Sequence, residues 1–223
     1  MDKVKEYILN NKITLVITSP NSKILSIINL LNELSIKGKY KTVLFSFNIS
    51  CNYYLQKLIS FLSGINNSII TKYFYPYVIN SKKNRDKINR NKFIDSIEEI
   101  QSSNILMNSE KYAVDKDYLD YILDYSESNV LIIDDFYALL DKTKYSLDEI
   151  LIKVKEKQDI HLVLFIKTKY KEKVVRQFAE VIRNYIFIDG FNYEEYKEIN
   201  INILNKTFKL QFNKMNQIMK TND

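Results

Sequence analysis

Glycine is scarce in this chain, with three in 223 residues. A loop that folds its backbone N–H groups around a phosphate depends on glycine, because few other residues adopt the left-handed turns involved. Histidine and cysteine are scarcer still. The lone cysteine, Cys51, excludes an intramolecular disulfide framework and a cysteine-cluster zinc site. The lone histidine, His161, opens the apolar run Leu162-Val163-Leu164-Phe165-Ile166 and reads as the start of a strand, so serine–histidine and cysteine–histidine nucleophiles are not expected. No apolar run approaches the roughly 18 residues of a membrane helix. Met1-Asp2-Lys3-Val4-Lys5-Glu6 alternates charges and lacks the apolar stretch of a signal peptide. The expectation is a cytoplasmic protein with no membrane partner.

What is present is a large apolar fraction, 46%, enough for a substantial core in one domain spanning residues 1–223. The formal charge is +6 and the pI about 9.0, which invites a nucleic-acid partner. Composition tempers that reading. Ile, Lys, Asn and Tyr are abundant throughout, as an AT-rich coding sequence would produce whatever the function.

Strand and helix patterns alternate along the chain. Apolar runs occur at 14–18, 42–47, 130–133, 162–166 and 185–188. Between them, stretches of helical period cover 24–35, 53–62, 87–100, 118–125, 147–157 and 171–183. Continuous apolar strands separated by amphipathic helices predict an α/β fold with a mainly parallel sheet covered on both faces. Strand 14–18 is expected at its centre, flanked by 42–47 and 130–134. The tail differs: 200–204 and 207–212, joined by Asn205-Lys206, predict an antiparallel hairpin at one edge. Residues 1–11 read as a helical lead-in. Gly38 and Gly64 read as left-handed helix stops, and Gly190 as a strand end.

Two basic clusters stand out. Residues 73–92 read as an exposed excursion into a basic helix start, carrying Lys82, Lys83 and Arg85. The second cluster, with Lys169, Lys171 and Lys173, follows strand 162–166. Both are candidates for contacting DNA phosphates, against the plainer reading of solvated lysine-rich surface. Tyr53, Tyr54, Tyr118, Tyr121 and Tyr125 have helical spacings and are assigned to the core rather than to base stacking.

The first strand leads into Ser19-Pro20-Asn21-Ser22-Lys23 and then a helix with Ile24, Leu25, Ile27, Ile28, Leu30, Leu31 and Leu34 on its apolar positions. This is the layout of a phosphate-binding loop without its residues. Such a loop needs glycines, a lysine for the β/γ-phosphates and a Ser/Thr hydroxyl for Mg²⁺. Lys23 is present, no glycine is, and Ile24 stands where the hydroxyl belongs. Further along come Val43-Leu44-Phe45-Ser46-Phe47-Asn48-Ile49-Ser50, Leu58-Ile59-Ser60-Phe61-Leu62-Ser63-Gly64-Ile65, and Leu131-Ile132-Ile133-Asp134-Asp135-Phe136-Tyr137-Ala138-Leu139-Leu140. Over residues 12–213, the order and spacing of these segments resemble the RecA-like P-loop motor domain of DnaB-type replicative helicases.

The resemblance implies a RecA-like fold, a nucleotide site at the carboxyl ends of the strands, and ring assembly with nucleotide between neighbours. It assigns Asp134 to the Walker B aspartate, Lys23 to the phosphate-loop lysine, and Lys206 to the finger offered to a neighbouring subunit. It also places Asn48 where the family has a catalytic glutamate, and an amide cannot accept a proton from water. The implied site is therefore vestigial, with no resident cofactor and at most weak ATP·Mg²⁺ binding. The expected role is an accessory or regulatory factor in DNA replication or in a mobile element. Its partners would be DNA, a replicative helicase or other replication protein, or its own copies. Two alternatives stay open: a divergent active ATPase or helicase, and a protein-interaction scaffold without a DNA role.

Overall fold

A computed structural model describes residues 2–20, 22–74, 83–109, 129–143, 145–157, 159–168, 170–178, 184–192, 196–203, 206–213 and 219–221, with positions 120, 123 and 182. Helix α1 (Asp2–Leu9) precedes strand β1 (Ile13–Thr18). Helix α2 (Lys23–Leu31) continues as a π-helical segment (Asn32–Lys37) into β2 (Thr42–Ser46). Three helices follow, α3 (Cys51–Ser63), α4 (Asn67–Phe74) and α5 (Lys83–Gln101), then β3 (Ile105–Ser109) and β4 (Val130–Ile133). Next come α6 (Phe136–Thr143), α7 (Leu147–Glu156), β5 (His161–Lys167) and α8 (Lys171–Phe178). The chain ends in β6 (Tyr185–Asn192), β7 (Tyr196–Ile203), β8 (Lys206–Asn213) and β9 (Met219–Thr221).

These strands form one sheet in the order β3-β2-β4-β5-β1-β6-β7-β8-β9. The pairings from β3 to β6 are parallel, and those from β6 to β9 antiparallel. The expected α/β architecture with a mainly parallel sheet is present. Its strand order differs from expectation in one respect: β1 is central, but its neighbours are β5 and β6 rather than β2 and β4. All of β1 and the middle of β5 are buried on both faces. Several apolar runs satisfy that requirement equally well, so hydrophobicity alone did not choose between them.

Strand alternation divides the core into two layers. Ile13, Leu15 and Ile17 join Leu131, Ile133, Leu162 and Leu164 on one face, beneath α6, α7 and α8. Val16, Leu44, Ile132, Val163 and Phe165 face the other way, beneath α1, α2 and α3. A smaller cluster under α3, α4 and α5 holds Ile59, Ile65 and Ile70, with Phe93 and Ile97 against it. Tyr54 is fully buried as expected, whereas Tyr53 is exposed, because adjacent helical residues point about 100° apart. Tyr118, Tyr121 and Tyr125 lie outside the described residues.

Three local expectations are corrected. Gly38 is right-handed (φ −86°), and the positive φ falls on Lys39 (58°). Glycine is needed at 38 for space: a Cβ there would stand 2.7 Å from the Leu34 carbonyl oxygen and 2.8 Å from that of Glu33. Gly64 is the left-handed stop after α3, at φ 67°. Gly190 lies within β6, opposite Ile199, instead of ending the strand. The tail hairpin, β7–β8, starts its second strand at Lys206, opposite Ile203, and β9 rather than the hairpin forms the sheet edge. Strand β3 and helices α4 and α6 have no counterpart among the sequence expectations. Ile105-Leu106-Met107-Asn108-Ser109 is short and half polar, and its strand form rests on parallel pairing with β2.

Candidate functional site

Pro20, Asn48 and Asp134 follow the carboxyl ends of β1, β2 and β4, the edge where open α/β sheets place their ligands. The link from β1 to α2 is a tight turn. Ser22 N–H donates to the Ser19 carbonyl at 3.0 Å, and the two serine hydroxyls are 2.8 Å apart. Ser19 N–H donates to Ile188 of β6 at 3.0 Å, which ties the turn to the neighbouring strand. The Ser19 and Ser22 N–H groups are thus both committed to main-chain carbonyls. Asn21 lies outside the described residues.

Asp134 directly follows β4 and is fully buried. Its own N–H donates to the Phe45 carbonyl at 3.0 Å, so β2 and β4 stay paired up to the carboxylate. Oδ1 accepts from Phe47 N–H at 2.9 Å. Oδ2 accepts from the Ser46 hydroxyl at 2.6 Å and the Tyr54 phenol at 3.1 Å. The Ser46 oxygen is also 2.5 Å from the Ile49 carbonyl; its single hydrogen favours the charged acceptor. Burial first, and then the Asp134 charge, push the Tyr54 phenol well above its ordinary pKa, so it stays a donor.

Lys23, 5% exposed, completes this cage. Its ammonium donates to the Asp134 main-chain carbonyl at 2.9 Å and stands 3.9 Å from Oδ2. Isolated burial of either charge would be costly, and each offsets the other here. The first residue of α2 thus projects across the sheet edge onto the end of β4, passing over β5.

Asp135 behaves differently. Its Oδ1 accepts from Ala138 N–H at 3.1 Å, a cap on the first turn of α6. Its Oδ2 accepts from the Asn48 side-chain amide at 2.6 Å. The position implied for a catalytic glutamate therefore holds a donor pinned to a carboxylate. Among the described residues, no group of three or more His, Cys, Asp or Glu side chains could hold a metal ion.

Lys23 and Asp134 are brought together, whereas Lys206 opens β8, separated from β1 by β6 and β7. Lys82 and Lys169 lie outside the described residues. Lys83 and Arg85 begin α5, and Lys171 and Lys173 begin α8. Helix α5 packs on α3, while Val174 and Phe178 of α8 belong to the core layer on the opposite face of the sheet. The two basic clusters therefore start helices on different faces. Ser46 and Tyr54 are site residues that pattern reading did not single out. The available signals were a hydroxyl closing an apolar strand and a tyrosine on the buried face of α3.

No family model matches the sequence, and no curated protein matches it. Solved structures do match. A DnaB-like replicative helicase, described together with its interactions with primase, superposes at a TM-score of 0.68 with 14% identity. That match covers 95% of this chain and 59% of the helicase chain. A second solved structure, an isolated ATPase domain, superposes at 0.65 with 14% identity, covering 95% of this chain and 84% of that one. No helix among the described residues is long and apolar enough to cross a membrane. The chain has the RecA-like fold of the ATPase domain of DnaB-type replicative helicases.

Proposed function

We propose that this protein is a non-hydrolysing counterpart of the DnaB-type motor, acting as an accessory or regulatory factor in DNA replication or in a mobile element. The observation that carries this reading is the closed cage on Asp134. Both carboxylate oxygens accept from protein donors, and the lysine that would reach a nucleotide's phosphates is bonded to the Asp134 carbonyl instead. Binding ATP·Mg²⁺ there would break those bonds without a glycine nest to replace them. The residues present do not fit the group, so any ATP·Mg²⁺ binding is weak and no hydrolytic step is assigned to them. Asn48, bound to Asp135, supplies no general base.

The retained fold leaves surfaces through which such a protein would act on DNA, on a replicative helicase or other replication protein, or on its own copies. Calorimetry with ATP·Mg²⁺ and a phosphate-release assay test the central claim. The expected outcome is no turnover above background. A dissociation constant tighter than about 10 µM, roughly −7 kcal/mol, overturns it. Phosphate release that disappears in Asp134→Ala overturns it as well and assigns the chain to the active ATPases.

A further inference from the structure

The turn between the π-helical segment and β2 puts a lysine where the backbone favours glycine. Tyr40 N–H donates to the Leu34 carbonyl at 3.0 Å and Lys39 N–H to that of Ser35 at 3.2 Å, the paired bonds of a Schellman helix stop. Position 39 of such a stop is left-handed, and Lys39 has φ 58°. Glycine or asparagine takes that conformation more readily than lysine. Composition does not explain the choice, because asparagine is as abundant a product of AT-rich coding as lysine. The helix dipole does not explain it either. Lys37 already stands in the last turn, bonded to Glu33 at 2.7 Å. Backbone strain kept beneath an exposed side chain points to a use for that side chain.

The surroundings of Lys39 indicate the use. Its carbonyl accepts from the exposed Asn104 side-chain amide at 3.2 Å, which fixes the turn beside the start of β3. Lys41 N–H donates to Oδ1 of Asn129, also exposed, at 3.0 Å, beside the start of β4. Because β1 to β5 are parallel, their amino ends share one edge, opposite to the edge that holds Asp134. Further along it stand His161 and then Lys12, at the starts of β5 and β1. Lys41 and Lys12 are three strand spacings apart, about 14 Å. Among the described residues, no carboxylate is within ion-pair distance of the Lys39 ammonium. Glu33 is held by Lys37, and Asp159 precedes β5, two strands away from β2. Lysine and asparagine side chains in an extended row are groups that contact the phosphates of a nucleic acid. We infer that the amino edge of the sheet, centred on Lys39, binds the phosphate backbone of a nucleic-acid strand. The inference rests on the nucleic-acid branch of the proposed function and is independent of the loss of hydrolysis.

Fluorescence anisotropy of the full-length chain tests it, with a labelled single-stranded oligonucleotide as DNA and as RNA, between about 50 and 200 mM salt. Lys39→Asn keeps the left-handed turn and removes the cation. Its affinity should fall severalfold, and the slope of log affinity against log salt should flatten by about 0.7, the share of one phosphate contact on a single strand. Its melting temperature should equal or exceed that of the wild type, and Lys39→Arg should bind as the wild type does. Equal binding by the wild type and Lys39→Asn overturns the site and leaves the nucleic-acid reading standing. No binding of either strand by the wild type overturns both. A lower melting temperature in Lys39→Asn makes Lys39 a structural residue and overturns the site. So does polyglutamate that binds as tightly as the strand and is released in Lys39→Asn, which would assign the edge to an acidic protein.

Discussion

The Lys23 ammonium and the Asp134 carbonyl, 111 positions apart in sequence, are joined by a buried hydrogen bond of 2.9 Å. The bond links the start of α2 to the end of β4 across the intervening strand β5. Lys23→Met should therefore leave Asp134 charged and less compensated. Asp134 keeps its other donors, so the expected loss is about 2–4 kcal/mol, near the lower end for breaking a buried pair. Chemical denaturation measures it, and a change below about 0.5 kcal/mol would show that the contact is unimportant.

Tyr54→Phe removes one donor from Oδ2 and should cost about 1–2 kcal/mol at neutral pH. Its pH dependence is more specific. The native phenol has a raised pKa, whereas the unfolded chain ionises near the usual value of about 10. Above that pH the unfolded state loses a proton that the native state keeps, so stability falls as pH rises. The wild type should lose up to about 1.4 kcal/mol per pH unit more than Tyr54→Phe between pH 10 and 11. Parallel stability curves for the two proteins in that window would contradict the buried, protonated phenol.

Restoring the implied catalytic residue should not restore activity. Asn48→Glu replaces a donor to Asp135 with a second carboxylate, so the 2.6 Å contact becomes a repulsion. The expected result is unchanged, background-level phosphate release and slightly lower stability, since the sequence from Ser19 to Lys23 still has no glycine to shape a phosphate cradle. Measurable turnover in this variant would mean that the nucleotide site is intact but for its base.

Two glycine substitutions should differ in cause. Gly38→Ala forces a Cβ against two backbone carbonyls and should cost about 1–3 kcal/mol through overpacking. Gly64→Ala meets no atom within 4 Å, and its cost, about 1 kcal/mol, comes from the left-handed backbone alone. Thermal melts of the two variants would rank them, and the reverse order would contradict this assignment.

If DNA is a partner, the basic start of α8 is one place to look. Replacing Lys171 and Lys173 with Glu should weaken binding of a single-stranded oligonucleotide and flatten its salt dependence, because phosphate contacts release counterions. Fluorescence anisotropy at about 50 mM salt, where such contacts are strongest, makes the comparison. No binding by the wild type under those conditions favours the protein-interaction role.

Much of this molecule was legible before folding. Apolar runs such as Val130–Ile133 and Leu162–Ile166 could become only buried strands, and the helical periods between them dictated a two-sided parallel sheet. The lack of glycine between Ser19 and Lys23, and the amide at Asn48, were likewise plain from residue identity. Tertiary structure decided the rest. Strand order depends on which apolar faces fit together over long sequence separations, and so β5 rather than β2 came to lie beside β1. Strand β3 has a weak local pattern and owes its form to pairing with β2. The cage on Asp134 draws on Lys23, Ser46, Phe47 and Tyr54, which no spacing rule connects. Each is ordinary in its own segment, and only the close approach of β2, β4, α2 and α3 makes them one site.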